Sequence, residues 1–455
     1  MIINQYLTIA AIALSFGMTP LNLAQAQTPP IQPFQPKATA ASRQAQILDQ
    51  QQKAERSRFD MQKFPMSDRY ITHWQDSLWA LGIVTPNYTI PVLNQVLALT
   101  AAPNLSDSQK GIIDTAMQIS LRFYTTQPKQ YDQLRSQFLR TIKDSQDAVW
   151  VAMSLAALTQ APDQPQVNKD KLILQVKQRF PQWQQEDILR TTIQNLESDR
   201  PTTTPAIADL LQWQIAPNQP QMYVFCRPNR AVLCLTILKD GNGKFIKQGQ
   251  RLWTTQLLLQ SLHNLDWNFT NGRTPQGVYR MEGISRQPDD EYFHAYGQFS
   301  LVNLFLPFED GANQFLPSQR GKFTGDLTNY QALLPPSWRN YAPIQQAFWA
   351  GKMGRSLFRI HGSGADVDFF SSKSTLVKAQ NFAWNATLGC LSALEIYDPQ
   401  GKLVKADMPK ILDVLTTAGK GKIEGYLIVV DIPPKANESA DAPVTIDAID
   451  LPLSR

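Results

Sequence analysis

The chain has 455 residues, of which 43% are hydrophobic and 18% charged, with a formal net charge of +5. That length exceeds one ordinary domain, so two or three globular units are expected, and the apolar content rules out a disordered chain. Residues 27–215 carry 19 basic and 17 acidic groups and residues 216–455 carry 24 and 21, with no basic run in either stretch. Charge spread so thinly lacks the concentrated footprint of a nucleic-acid-binding protein.

Leu7 to Met18 is almost entirely apolar, and Leu23-Ala24-Gln25-Ala26 supplies a small-x-small cleavage site before Gln27. The apolar run is short for a membrane span, so residues 1–26 read as a signal peptide for export to the periplasm or cell wall, despite having no Lys or Arg. Thr28-Pro29-Pro30-Ile31-Gln32-Pro33-Phe34-Gln35-Pro36 then reads as an extended tether. Residues 42–58, rich in Gln, Ala and charge, are a possible helix within a 27–67 linker.

From about residue 68 to residue 215 the pattern is helical. Periodicity predicts segments near 89–100, 107–125, 128–143, 146–159, 168–179 and 184–197, separated by loops such as Pro103-Asn104-Leu105-Ser106-Asp107. Ser145 with Asp147 is a candidate cap for the helix containing Ala152, Leu155, Ala156 and Leu158. The expected unit is an all-α bundle or a stack of HEAT-like helix pairs, with Trp74, Trp79, Trp150 and Trp183 as packing anchors. A protein partner is possible at this helical domain.

Arg200-Pro201-Thr202-Thr203-Thr204-Pro205 and Ala216-Pro217-Asn218-Gln219-Pro220 bracket a change of period. Residues 222–226 and 231–238 read as strands, Asp240-Gly241-Asn242-Gly243 as a turn, and the runs 292–308, 356–361 and 424–432 as further strands. Met408 to Ala418 reads as a helix ended by Gly419, and Pro433 onward as a tail. The fold class is therefore α+β in two domains, all-α first and mainly β with helical insertions second.

Three cysteines in an exported chain leave one over if two pair. Cys226 and Cys234 flank Arg227-Pro228-Asn229-Arg230, where either a local disulfide or two buried thiols would suit. Cys390 stands apart, in Thr387-Leu388-Gly389-Cys390-Leu391-Ser392, downstream of Arg359-Ile360-His361-Gly362-Ser363. A thiol reacts as the thiolate, and a histidine is the commonest group to take its proton near neutral pH. Glycine before the cysteine lets the backbone turn sharply and aim N–H groups at a developing oxyanion. His73, His263 and His294 have no metal-ligand spacing, so neither a metal nor a cofactor is expected.

Together with Arg273-Thr274-Pro275-Gln276-Gly277-Val278-Tyr279, these motifs resemble, in order, those of the L,D-transpeptidase catalytic domain family with its YkuD-type fold. The resemblance covers about residues 220–432, with Met222 to Asp240 as the opening strand pair. It implies acyl transfer on peptidoglycan stem peptides, with Cys390 as nucleophile, His361 as base, Gly389 at the oxyanion site and the Gly362 carbonyl orienting His361. Thr387, Ser363 and Ser392 become candidate substrate contacts.

Two positions depart from the family pattern: Leu388 stands where a second histidine is usual, and Ser392 where an Arg or Asn is usual. Leu388 is expected to make the surroundings of the cysteine less polar. Twenty-five residues separate His361 from Thr387, so a segment from Gly364 to Ala386, with Phe369, Phe370 and Trp384, is expected as a loop over the site. Residues 309–350, with Trp338, Tyr341, Phe348 and Trp349, are expected as a lid or a helical layer. A papain-like or NlpC/P60 peptidase places cysteine before histidine, the reverse of the order here. A sortase shares the order but needs a nearby Arg, and the only Arg after Cys390 is Arg455. The remaining alternatives are an L,D-carboxypeptidase and a non-catalytic wall-binding scaffold.

Overall fold

The structure, a computed structural model, describes residues 38–162, 168–197, 203–286, 297–362, 384–435, 438–439 and 441–449. The expected signal peptide, residues 1–26, therefore lies outside the described residues. Among them, no helix is long and apolar enough to cross a membrane.

The helical part comprises α1 (Ala40–Lys53), α2 (Ile71–Val84), α3 (Thr89–Leu97), α4 (Asp107–Thr126), α5 (Gln133–Asp144), α6 (Ala148–Gln160), α7 (Lys169–Arg179), α8 (Asp187–Glu197) and α9 (Ile207–Gln212). Local chemistry sets several of the ends. Ser106 and Gln109 form a reciprocal capping box at α4, and Asp147 accepts the amides of Val149 and Trp150 at α6 while Ser145 Oγ accepts that of Asp147. On α5 the spacing of Leu134, Phe138, Thr141 and Ile142 buries one face. On α6 every residue from Trp150 to Leu158 is buried, which makes it the central helix of this core. Two predicted starts shift inward, because Gln127–Tyr131 and Gln182–Gln185 close turns instead of opening α5 and α8. Helix α2 was not singled out by periodicity: Trp74, Ser77, Leu78, Ala80, Leu81 and Gly82 are all buried, so it lacks a clean polar face.

The β-rich part is a closed barrel. Its strands are β1 (Gln221–Cys226), β2 (Cys234–Lys239), β5 (Thr255–Leu258), β6 (Gly277–Ser285), β7 (Leu301–Phe305), β8 (Phe358–Gly362), β9 (Leu391–Ala393) and β12 (Glu424–Asp431), in the order β1-β12-β6-β7-β8-β9-β5-β2. Two outlying hairpins, β3 (Lys247–Gln248) with β4 (Arg251–Leu252) and β10 (Glu395–Tyr397) with β11 (Leu403–Ala406), lie outside it. The β1/β12 and β8/β9 pairs are parallel and the other barrel pairs antiparallel. Strand β1 is buried along its whole length and β12 from Gly425 onward, as expected where one face fills the barrel and the other is covered by further chain.

Residues 309–350 form a helical layer built on α10 (Leu327–Gln331) and leading into α11 (Gln346–Lys352). Tyr330 Oη donates to the Ile344 carbonyl and accepts the Val278 amide, and the Trp338 indole donates to Ala206. Helix α12 (Met408–Ala418) ends at Gly419, as its sequence predicts. After Pro433 the chain stays on the barrel: Arg227 donates to the carbonyls of Ile432, Pro433 and Ala442 and pairs with Glu438, while Val444 and Ile449 enter the core. Cys226 and Cys234 are joined as a disulfide between the end of β1 and the start of β2, leaving Cys390 as the free thiol.

Loop 261–273 ties the two parts together. Leu265 and Phe269 are buried in the helical core rather than the barrel core, and His263 meets Trp79 edge-on with ring centroids 5.3 Å apart. Three asparagines fix the loop to helices: Asn264 to Thr125 (3.4 Å), Asn268 to Thr192 (2.8 Å) and Asn271 to Gln118 (2.9 Å). Removing a fully buried aromatic ring leaves both lost transfer energy and a cavity. Phe269→Ala is therefore expected to lower stability by about 3–5 kcal/mol, measured by urea denaturation. An unchanged midpoint would mean that the loop does not hold the parts together.

Candidate active site

Cys390 ends a tight turn that starts at Thr387. The Thr387 hydroxyl donates to the Cys390 carbonyl (2.7 Å) and accepts the Gly389 amide (3.2 Å), so it builds the turn rather than facing outward. The Thr387 backbone is itself pinned, its N–H to the Gln260 carbonyl and its C=O to the Leu262 amide. Gly389 has φ of 123°, and a Cβ there would lie 2.6 Å from Arg355 Nη2 and 3.0 Å from the Gly272 carbonyl. Only glycine combines that conformation with that close approach. Thr274 Oγ1 donates to the Gly389 carbonyl at 2.8 Å, which joins the Thr-Pro-Gln-Gly segment directly to the cysteine turn.

The parallel pair β8/β9 sets the strand that carries His361 beside the strand that follows Cys390. Ile360 faces Leu391, His361 faces Ser392 and Gly362 faces Ala393, so Cys390 lies two residues before the partner of His361. His361 Nδ1–H donates to its neighbour's carbonyl, Gly362 O, at 2.8 Å, which fixes the tautomer with the lone pair on Nε2. Ser392 is wholly buried within the sheet, between His361 and Leu258. Ser363, Phe369 and Phe370 lie outside the described residues. Trp384 is buried against Leu233, Leu258 and Leu394.

Burial dominates the electrostatics of both groups. It lowers His361 from 6.5 to about 4, opposed by the Gly362 hydrogen bond, and raises Cys390 from 9.0 to about 11. Against that rise work the Arg359 amide, which hydrogen-bonds the thiol, and the positive charges of Arg359 and Arg355. Near neutral pH the resting pair is thus a thiol and a neutral imidazole, not a thiolate and an imidazolium. Leu388 is 43% exposed, so this desolvation does not come from the residue whose apolar side chain suggested it.

Several neighbours escape a motif search. The Arg355 guanidinium is buried behind Gly389 and donates to the carbonyls of Trp267, Gly272 (2.6 Å) and Arg273 (3.0 Å). It is a cation beside the cysteine, although Ser392 stands where the resemblance implies one. The Cys390 thiol donates to the Leu357 carbonyl at 3.6 Å, and Leu357 has φ of +64°, a strained value for a branched residue. Glu309 holds that strained residue by accepting the amides of Leu357 (2.8 Å) and Leu306 (2.9 Å), and burial raises its carboxyl to about 7. Glu395 is the counterpart on the histidine side. Its carboxylate fills the space a Gly362 side chain would need, accepts the Gln298 amide, and is raised by burial to about 7. One signal was readable: in a strand Arg359 and His361 point to the same face.

Two of the remaining histidines are structural. His73 bonds Arg58, and burial with the Arg122 charge lowers His263 to about 3. His294 lies outside the described residues. Comparison of the chain with protein-family models, curated proteins and solved structures finds no match.

With a thiol at about 11, roughly one molecule in 10,000 carries a thiolate at pH 7. Alkylation of Cys390 by iodoacetamide is expected to climb about tenfold per pH unit between 7 and 10. A plateau reached below pH 7 would instead reveal a preformed ion pair.

Glu395 makes the opposite kind of test, through stability. Its folded value lies above its ordinary 4.5, so the folded state keeps a proton that the unfolded state sheds between pH 4.5 and about 7, and stability falls as pH rises through that window. Relative to Glu395→Gln, the wild type is expected to lose about 3 kcal/mol between pH 4.5 and 7.5, read from urea midpoints at each pH. Parallel curves for the two proteins would contradict the raised carboxyl.

Proposed function

We propose that the protein is an exported, cysteine-dependent acyltransferase of the L,D-transpeptidase type, acting on peptidoglycan stem tetrapeptides through a YkuD-type domain at about residues 220–432. The observation that carries this reading is the β8/β9 pair, which runs the strand bearing His361, its tautomer fixed by Gly362, next to the strand that leaves the glycine turn of Cys390. The upstream Thr274 bonded to that same turn supports it, because the family-like segment and the cysteine motif then serve one site.

On this reading His361 Nε2 takes the thiol proton as substrate enters, and the sulfur attacks the carbonyl carbon between the diamino acid and D-Ala. The oxyanion is met by backbone N–H, with Cys390's own amide as the candidate because that of Gly389 is engaged by Thr387. Such a donor contributes about 3–4 kcal/mol in other enzymes. Collapse breaks the C–N bond, the imidazolium gives its proton to the departing D-Ala amine, and a thioester remains on Cys390. An acceptor amine or water then attacks the thioester, loses its proton to His361 and restores the thiol. Because thiol and imidazole start neutral, proton transfer is coupled to attack, and Arg355 and Arg359 are positioned to stabilise the charge that develops on sulfur.

The high thiol value favours a second reading, a wall-binding scaffold that has lost activity. One assay separates them. The mature protein incubated with tetrapeptide muropeptides is expected to release D-Ala and yield dimers, exchanged or trimmed products, and Cys390→Ala to release none. Equal product from both would remove Cys390 from the chemistry, and no product from either would leave the scaffold.

A further inference from the structure

Glu309 and Leu357 stand at the two ends of the helical layer, one just after β7 and the other just before β8. The buried carboxylate of Glu309 joins those ends: one oxygen accepts the Leu357 amide (2.8 Å) and the other the Leu306 amide (2.9 Å). Leu357 has φ of +64°, and its side chain is 50% exposed, so side-chain packing does little to offset the backbone strain. Its place is set through its peptide groups, and Glu309 grips one of them. The Leu357 carbonyl in turn accepts the Cys390 thiol at 3.6 Å, while the Arg359 amide, two residues on, donates to the sulfur. A hydrogen bond from the thiol favours its neutral form and one to the sulfur favours the ionised form, so this short stretch offers the nucleophile both states.

We infer that Glu309 is a positioning residue for the nucleophile: by gripping the Leu357 peptide it holds the carbonyl on which the resting Cys390 lays its hydrogen, and so keeps the sulfur in its thiol form. A carboxylate that only closed a long insertion could grip any residue at the exit. Here the gripped residue is the strained one, and it is the same residue that bonds the thiol. Charge acts in the same direction, because a negative Glu309 opposes a second negative charge on sulfur, whereas Arg355 and Arg359 favour it. The charged groups facing Glu309 itself are Arg359 and Asp310. The inference concerns the thiol without substrate, and so does not rest on the acyl-transfer reading.

Two substrate-free readouts test it on the full mature chain. One is the infrared S–H stretching band of Cys390, assigned by its loss in Cys390→Ala; the other is the pH profile of its alkylation by iodoacetamide. The wild-type band is expected below that of free cysteine, as a donated hydrogen bond requires. Glu309→Gln removes the charge, whereas Glu309→Asp keeps it but falls one methylene short of spanning both amides. Both are expected to raise alkylation at pH 7 by about threefold or more, to move the profile to lower pH, and to shift the band toward free cysteine. Glycine adopts the conformation of residue 357 without strain, so adding Leu357→Gly to Glu309→Gln is expected to bring the band back and to abolish most of the rise, measured against Leu357→Gly alone. The assignment would be overturned by a wild-type band at the free-cysteine position, or by Glu309→Asp behaving as the wild type while Glu309→Gln does not, which is the signature of charge alone. It would equally fall if the Glu309 variants changed only the urea midpoint, or if Glu309→Gln had the same effect with leucine and with glycine at 357.

Discussion

The Arg355 guanidinium donates to three carbonyls, those of Trp267, Gly272 and Arg273, all in one loop, while its Nη2 occupies the space a Gly389 side chain would need. A buried cation can be held this way because carbonyl dipoles replace the water it loses. The same loop plants Leu265 and Phe269 in the helical core. The helical part, the loop, the guanidinium and the cysteine turn therefore form one mechanical chain, and the position of Cys390 is set partly by helices far from it in sequence. Glycine at 389 is the condition for this, since any side chain would push the turn off the guanidinium.

Around that frame the electrostatic balance favours neutrality. Burial outweighs nearby charge for Cys390, His361, Glu309 and Glu395 alike, raising the acids and lowering the base. Two carboxyls near 7, Glu309 beside Leu357 and Glu395 beside Gly362, change their charge near neutral pH. Glu309 acts through the Leu357 backbone, whose carbonyl takes the thiol hydrogen, and Glu395 through the space beside Gly362.

Local signals carried much of this into the sequence. The capping Asp147 and Ser106, the Asp240–Gly243 turn, the helix stop at Gly419 and the succession of helices before strands are short-range chemistry, and each stands where its residues put it. What was hidden is long-range. Arg355 reads as one basic residue among many until loop 261–273 folds against it, and the aromatic run from Trp338 to Trp349 suits a lid as well as the packed layer it forms. The buried carboxyls were equally silent, because their character comes from packing and not from neighbours in the chain. Thr387 shows the limit most clearly: a hydroxyl beside a nucleophile suggests a ligand contact, yet its geometry closes a turn.

The barrel closes by pairing β1 with β12, whose partners Gln221 and Tyr426 stand about two hundred residues apart along the chain. Contacts that distant form late and slowly, whereas the helical part is made of near neighbours. A ribosome delivers the chain from its amino end, so a finished helical core can already await loop 261–273 while the last strand is still unmade. A truncation reaching back to β12 would then remove a stave of the barrel rather than trim its rim. Such a truncation would be felt at the cysteine, although no residue of that strand belongs to its turn.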